Sequence, residues 1–117
     1  MELPARLILD GTALCDNWRA LRALSGGAAT GAAVKADGYG LGAAGVVERL
    51  ARAGCRDFFV ATWAEAAVLA PLVRRHELSL SVLHGVRAVD MAAAASLPAR
   101  PVLNTVEQVA RWRNTGP

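Results

Sequence analysis

Twelve of the thirteen basic residues in this 117-residue sequence are arginines, and the thirteenth is Lys35. Arginine serves a surface salt bridge at least as well as lysine. Only a lysine amine, however, can lose a proton near neutral pH and condense with an aldehyde, so a lone lysine points to Schiff-base chemistry. Its neighbours Ala32, Ala33, Val34 and Ala36 are small and apolar, which predicts a desolvated amine with a lowered pKa. Four residues on stands Tyr39, the only tyrosine, between Gly38 and Gly40. Glycines there allow a sharp turn and a close approach to a ligand. The turn is expected to feed a helix N-terminus near Ala43, whose free amides suit a phosphate, with the Tyr39 hydroxyl as an added donor. The competing readings are a chance surviving lysine and a tyrosine that only packs across the end of the fold.

The run Gly40-Leu41-Gly42-Ala43-Ala44-Gly45 is a literal GxGxxG. A dinucleotide site would need it to start right at a strand end and would need an acidic residue closing the next strand. Here Ala36 to Tyr39 intervene and the next strand ends Val60-Ala61-Thr62, so the motif lacks its context. His76, at a predicted helix end, reads as a surface residue. His84 follows a predicted strand and reads as a loop histidine that could also face a ligand. Cys15 and Cys55 have no CxxC or Cys/His spacing and are expected to be free, at least partly buried thiols. No metal site is expected.

Four strand-then-helix units must position these residues, after a lead-in helix capped by Thr12 that carries Leu14, Trp18 and Leu21 on one face and ends at Gly26-Gly27. The first unit has a strand at 31–35, a glycine-rich turn through Gly45, and a helix with Val46, Val47 and Leu50 that stops at Gly54. The second has a strand at 57–61 and a helix to about Arg75 opened by a Thr62/Glu65 capping box. The third has a strand at 78–83 and a helix over about 90–96. The fourth has a strand at 101–104 and a helix to about Arg113, with Thr105 and Gln108 as a second box. Strands recurring every ~20–27 residues fit parallel βαβ units. Four units make either a small doubly wound sheet or half of a (β/α)8 barrel, and half a barrel leaves edge strands and an inner face open.

The composition is 54% hydrophobic and 20% charged, with a net charge of +3, which suits a packed core and not disorder. Arginines are scattered and no basic run exceeds Arg74-Arg75, so no nucleic-acid partner is expected. No signal segment and no apolar stretch of ~20 residues is present. The sequence therefore predicts no membrane association and a cytoplasmic location.

The run Ala33-Val34-Lys35-Ala36-Asp37-Gly38-Tyr39-Gly40-Leu41-Gly42 resembles the cofactor motif of alanine racemases, in which Val-Val-Lys-Ala-(Asn/Asp)-(Ala/Gly)-Tyr-Gly-His-Gly is usual. Leu9 to Leu24, Phe59 to Ala66 and Ser81 to Gly85 resemble the family's lead-in helix, second strand and third strand, so the likeness covers essentially the whole chain. Leu41 departs from the common histidine, beyond the two cofactor contacts. The resemblance implies an α/β fold, the first four βα units of a (β/α)8 TIM barrel, with residues 1–117 as the N-terminal part of the barrel domain. The chain is expected to stop before the rest of the barrel and the C-terminal β domain. The resemblance further implies that Lys35 binds pyridoxal 5'-phosphate covalently and acts as one catalytic base, that Tyr39 holds the cofactor phosphate, and that Leu83 lines the pocket. By the same likeness the complete protein racemises L- and D-alanine, supplying D-alanine for peptidoglycan, as a homodimer in which a partner-subunit tyrosine is the second base. That base lies outside this chain, which is expected to be inactive alone. The alternatives are a non-catalytic pyridoxal-phosphate carrier with the same barrel, and an interaction module that binds no cofactor.

Overall fold

A computed structural model describes residues 2–115. The first helix, α1 (Gly11–Leu24), is capped by Asp10, whose carboxylate accepts from the Ala13 amide at 3.0 Å. The predicted cap, Thr12, instead lies inside the first turn, because Asp10 is already extended and reaches the third helical amide. Trp18 is the buried residue of this helix. Its indole donates to the Thr30 carbonyl at 3.0 Å, and the Arg22 guanidinium lies 5.5 Å over the ring. Leu14 is only half-buried and Leu21 is exposed, so the apolar stripe is narrower than the spacing predicts. Ser25 closes the helix and Gly26, at φ +62°, turns the chain away.

Four short strands, β1 (Ala32–Ala33), β2 (Asp57–Val60), β3 (Ser79–Val82) and β4 (Arg100–Pro101), form one parallel sheet in the order β1-β2-β3-β4. A doubly wound sheet reverses its strand order part-way. Here each strand adds beside its predecessor, the arrangement of consecutive (β/α)8 units. All four strands are shorter than predicted, because parallel pairing continues only where both backbones stay extended. After a single tight turn, α2 (Lys35–Tyr39), the crossovers are α3 (Ala43–Ala53), α4 (Trp63–His76), and a 3-10 turn at Ala88–Asp90 leading into α5 (Met91–Ser96). A final helix, α6 (Val106–Arg113), follows β4.

Alternation along the strands separates two faces. Phe58, Val60, Leu80 and Val82 are buried together with Val47, Leu50, Leu69 and Val73 from α3 and α4, each burial stabilising by roughly 1.5–3 kcal/mol. The register aligns Ala33, Phe59, Ser81 and Arg100 in one row on the opposite face, where Ala33 and Arg100 at the edges are exposed, Phe59 is partly so and Ser81 is buried. That is the open inner face expected of half a barrel.

The capping box at α4 forms as predicted: Thr62 Oγ1 accepts from the Glu65 amide at 3.2 Å and Glu65 Oε1 accepts from the Thr62 amide at 3.0 Å. At α6 only half a box forms. Thr105 accepts from the Gln108 amide, but Gln108 Oε1 reaches past it to the Asn104 amide at 2.9 Å. The Trp63 indole donates to the Gly85 carbonyl at 2.9 Å, tying the start of α4 to the segment after β3. His76, read as a surface residue, is half-buried at the end of α4, and its Nε2 is buried without a hydrogen-bond partner among the described residues. The described residues contain no helix long and apolar enough to cross a membrane.

Both cysteines are free thiols, Cys55 buried and Cys15 partly so. Burial pushes the Cys55 thiol up from 9.0, and the neighbouring Asp57 charge adds to this against the hydrogen bond to the Asp57 carbonyl. Folding therefore favours the neutral thiol. The stability this contributes is complete below the unfolded pKa and is lost as pH rises through the higher folded value. A disulfide reagent at neutral pH is expected to label Cys15 promptly and Cys55 only on unfolding. Equal labelling rates in the folded chain would contradict that account.

Candidate functional site

Lys35 lies two residues beyond β1, at the carboxyl end of the sheet. The last ladder bond of its strand runs from the Val34 amide to the Phe59 carbonyl at 2.8 Å, and Val34 itself is 2% exposed. At Val34 the backbone leaves the extended region (φ −124°, ψ 23°). The chain then makes one left-handed turn through Ala36 (52°, 46°), Asp37 (53°, 47°) and Gly38 (66°, 39°) to Tyr39 (φ 57°). Gly38 and Gly40 are the residues expected to allow the turn, yet Ala36, Asp37 and Tyr39 carry positive φ as well. Left-handed geometry costs roughly 1–2 kcal/mol per non-glycine residue. Three such residues therefore store about 3–6 kcal/mol, strain of the kind found at functional sites.

Specific bonds offset that strain. Within the turn the Gly38 amide donates to the Val34 carbonyl at 2.9 Å and the Gly40 amide to the Ala36 carbonyl at 3.0 Å. Asp37 anchors the downstream side: its carbonyl accepts from the Gly42 amide at 2.8 Å, and its Oδ1 accepts from the Ala43 amide at 2.8 Å. Asp37 thus acts as a remote cap for α3, whose own N-cap, Gly42, has no side chain to do so. Of the α3 N-terminal amides expected to be free for a phosphate, the first, at Ala43, is already bonded to the Asp37 carboxylate. The Gly40–Gly45 run follows the left-handed turn and Gly45 falls inside α3, so no dinucleotide cradle forms at a strand end. Glu65 anchors the upstream side, its Oε2 accepting from the Ala36 amide at 2.7 Å.

Lys35 and Tyr39 stand at the two ends of the turn, both exposed, Tyr39 at 62%. Exposure of Lys35 corrects the expectation that its small apolar neighbours enclose the amine; Ala33 and Ala36 are themselves exposed. The ion pairs among the described residues are Arg19–Asp16, Arg52–Glu48 and Arg87–Asp90, so Lys35 takes part in none. Leu83 extends the ladder one step beyond β3, donating its amide to the Val60 carbonyl at 2.8 Å. It lies two residues beyond Ser81, hence on the same face as Ala33 and Phe59, and is half-buried. The Asn104 side chain donates to the Leu83 carbonyl at 2.9 Å, fixing this segment from beyond β4. His84, next along, is exposed. Lys35, Tyr39 and Leu83 therefore share the carboxyl end of the sheet, the end at which barrel folds place their reactive groups. Sequence reading missed Glu65 and Asn104 in this setting, because both act through contacts more than twenty residues away in the chain.

Residues 9–117 match the family model described as "Alanine racemase, N-terminal domain". The chain belongs to the alanine racemase family. It is 43% identical to an alanine racemase of Brucella suis over 91% of this chain and 26% of that protein. It is 42% identical to the biosynthetic alanine racemase of Agrobacterium fabrum over 97% of this chain and 29% of the relative. The chain thus spans a quarter to a third of the length of these alanine racemases. Among solved structures it is similar to the alanine racemase of Bartonella henselae with covalently bound pyridoxal phosphate, at a TM-score of 0.84 and 31% identity over 92% of this chain and 30% of that one. The family's α/β architecture, with the parallel strands of the N-terminal part of a TIM barrel, is the one described above.

Proposed function

We propose that this chain is the N-terminal part of the barrel domain of a pyridoxal-phosphate-dependent alanine racemase, and that Lys35 is its cofactor lysine. The observation that carries the reading is the placement of the chain's one lysine on a strained turn, tied on both sides, at the carboxyl end of β1. The residues fit the group: a primary amine with no ion-pair partner among the described residues, and a phenol at the other end of the same turn, both exposed. Pyridoxal phosphate, when bound, supplies the aldehyde that captures an amine and the electron sink that stabilises a carbanion at Cα.

The chain's own residues do the rest. The Lys35 amine would hold the cofactor and, when free, would remove or deliver the α-proton on one face, with the complementary transfer made on the opposite face. The Tyr39 hydroxyl donates to the cofactor phosphate, and Leu83 forms part of the pocket wall. The base for the other face belongs to the part of the complete protein beyond this chain, supplied by a partner subunit in a homodimer. The chain alone is accordingly inactive, and the complete protein works in the cytoplasm, supplying D-alanine for peptidoglycan. The similarity to a racemase with covalently bound pyridoxal phosphate supports this reading over a cofactor-free module.

The test is to incubate the complete protein with L-alanine in deuterium oxide and follow chirality and α-deuteration together. D-alanine carrying deuterium at Cα is the expected product. Cofactor binding without exchange or inversion would instead indicate a carrier, and neither would remove the family's chemistry from this protein.

A further inference from the structure

We propose that Glu65 is a positioning residue for the Lys35 amine. Glu65 stands in the first turn of α4, where its Oε1 serves the helix cap: it accepts from the Ala61 and Thr62 amides at 2.9 and 3.0 Å and from the Thr62 hydroxyl at 3.3 Å. A capping box uses only that oxygen. The second, Oε2, crosses to the preceding βα unit and accepts from the Ala36 amide at 2.7 Å, the short distance of a charge-assisted bond. One carboxylate therefore joins the loop after β2 to the residue that follows Lys35.

The packing explains why that strut matters. The turn borders an open pocket of about 200 Å³ lined by Val34, Val60, Val68, Leu69, Asp37 and Glu65. Gly38 is buried against Ala43 and Val46, which holds the downstream half of the turn, whereas Ala36 at its upstream end is exposed and depends on its polar tie. Ala36 is the first residue of the left-handed run, and its amide has no acceptor other than Glu65 among the described residues. Without the carboxylate, the Ala36 amide is unpaired at the point where the strain begins, and the turn can relax towards ordinary backbone geometry. Lys35, one bond upstream, would move with it. Displacements of about an ångström at a reacting group can cost on the order of 10²-fold in rate.

What Lys35 does rests on the reading under Proposed function, whereas the strut itself rests on geometry alone. The test uses the complete protein. Glu65→Gln keeps the size and one acceptor but sets an NH₂ donor against either the cap amides or the Ala36 amide. Glu65→Asp keeps the charge on a stem too short to span both. Asp10→Ala, which removes the carboxylate cap of α1, controls for general loss of a helix cap. Three readouts are compared: hydrogen exchange at the Ala36 amide, the rate of Lys35 acetylation by acetic anhydride in cofactor-free protein, and kcat against KM for alanine.

The expected result for both Glu65 variants is exchange at Ala36 faster by about tenfold or more, an altered Lys35 acetylation rate, and kcat down roughly 10- to 100-fold with a smaller change in KM. Asp10→Ala should lower the melting temperature and change none of the three. Unchanged Ala36 exchange and Lys35 acetylation in folded Glu65→Gln would overturn the proposal, as would a kcat no lower than that of Asp10→Ala. Should either variant fail to fold, the other decides. A wild-type protein inactive on alanine would count against the functional reading only, and exchange and acetylation would still decide the role of Glu65.

Discussion

If Lys35 has the proposed role, replacing it with alanine in the complete protein should lower alanine racemisation by at least ~10⁴-fold, because one substitution would remove both the covalent attachment and a proton-transfer group, either of which alone is costly. Lys35→Arg tests the same point more sharply. Arginine keeps the charge and much of the length, but its guanidinium does not deprotonate near neutral pH and cannot condense with an aldehyde. Both variants are expected to fold, since Lys35 is exposed and takes part in none of the ion pairs among the described residues. Chirality of the alanine pool is the measurement. Activity within tenfold of wild type in either variant would remove Lys35 from the chemistry.

The largest effect on stability is expected at Phe58. It is 1% exposed and lies in register between Ala32 of β1 and Leu80 of β3, within the cluster that joins the sheet to α3 and α4. Phe58→Ala should cost about 3–5 kcal/mol, a large share of the roughly 5–15 kcal/mol that holds a domain folded. Val68→Ala, at a residue 70% exposed on α4, should stay within about 0.5 kcal/mol. Urea midpoints of the two variants provide the comparison. A Phe58→Ala loss under about 1 kcal/mol would mean that the core lies elsewhere.

Most of the architecture is legible in the sequence because it follows from local rules. Short apolar runs at βαβ spacing give the parallel sheet, Thr62 with Glu65 gives the α4 cap, and Gly54, at φ +115°, stops α3. The choice between a doubly wound sheet and a barrel segment is not local. It depends on which edge each strand joins, and the order β1-β2-β3-β4 decides it. At the site, residue type alone singles out Lys35 and Tyr39. The left-handed turn between them is not readable, since alanine, aspartate and tyrosine all disfavour that conformation. It persists through Asp37 capping α3 and Glu65 reaching back from α4. The same holds at the start of α3, where the sequence displays the helix start but not the Asp37 carboxylate already bonded to the Ala43 amide.

Reduction of the complete, cofactor-loaded protein with borohydride, followed by trypsin digestion and mass mapping, tests the assignment of Lys35 most directly. A reduced pyridoxyl group blocks cleavage at the lysine that carries it. The account predicts one labelled peptide running uncut from Ala23 to Arg49, with Lys35 inside it. Cleavage after Lys35, with the label on another lysine or nowhere, would contradict it.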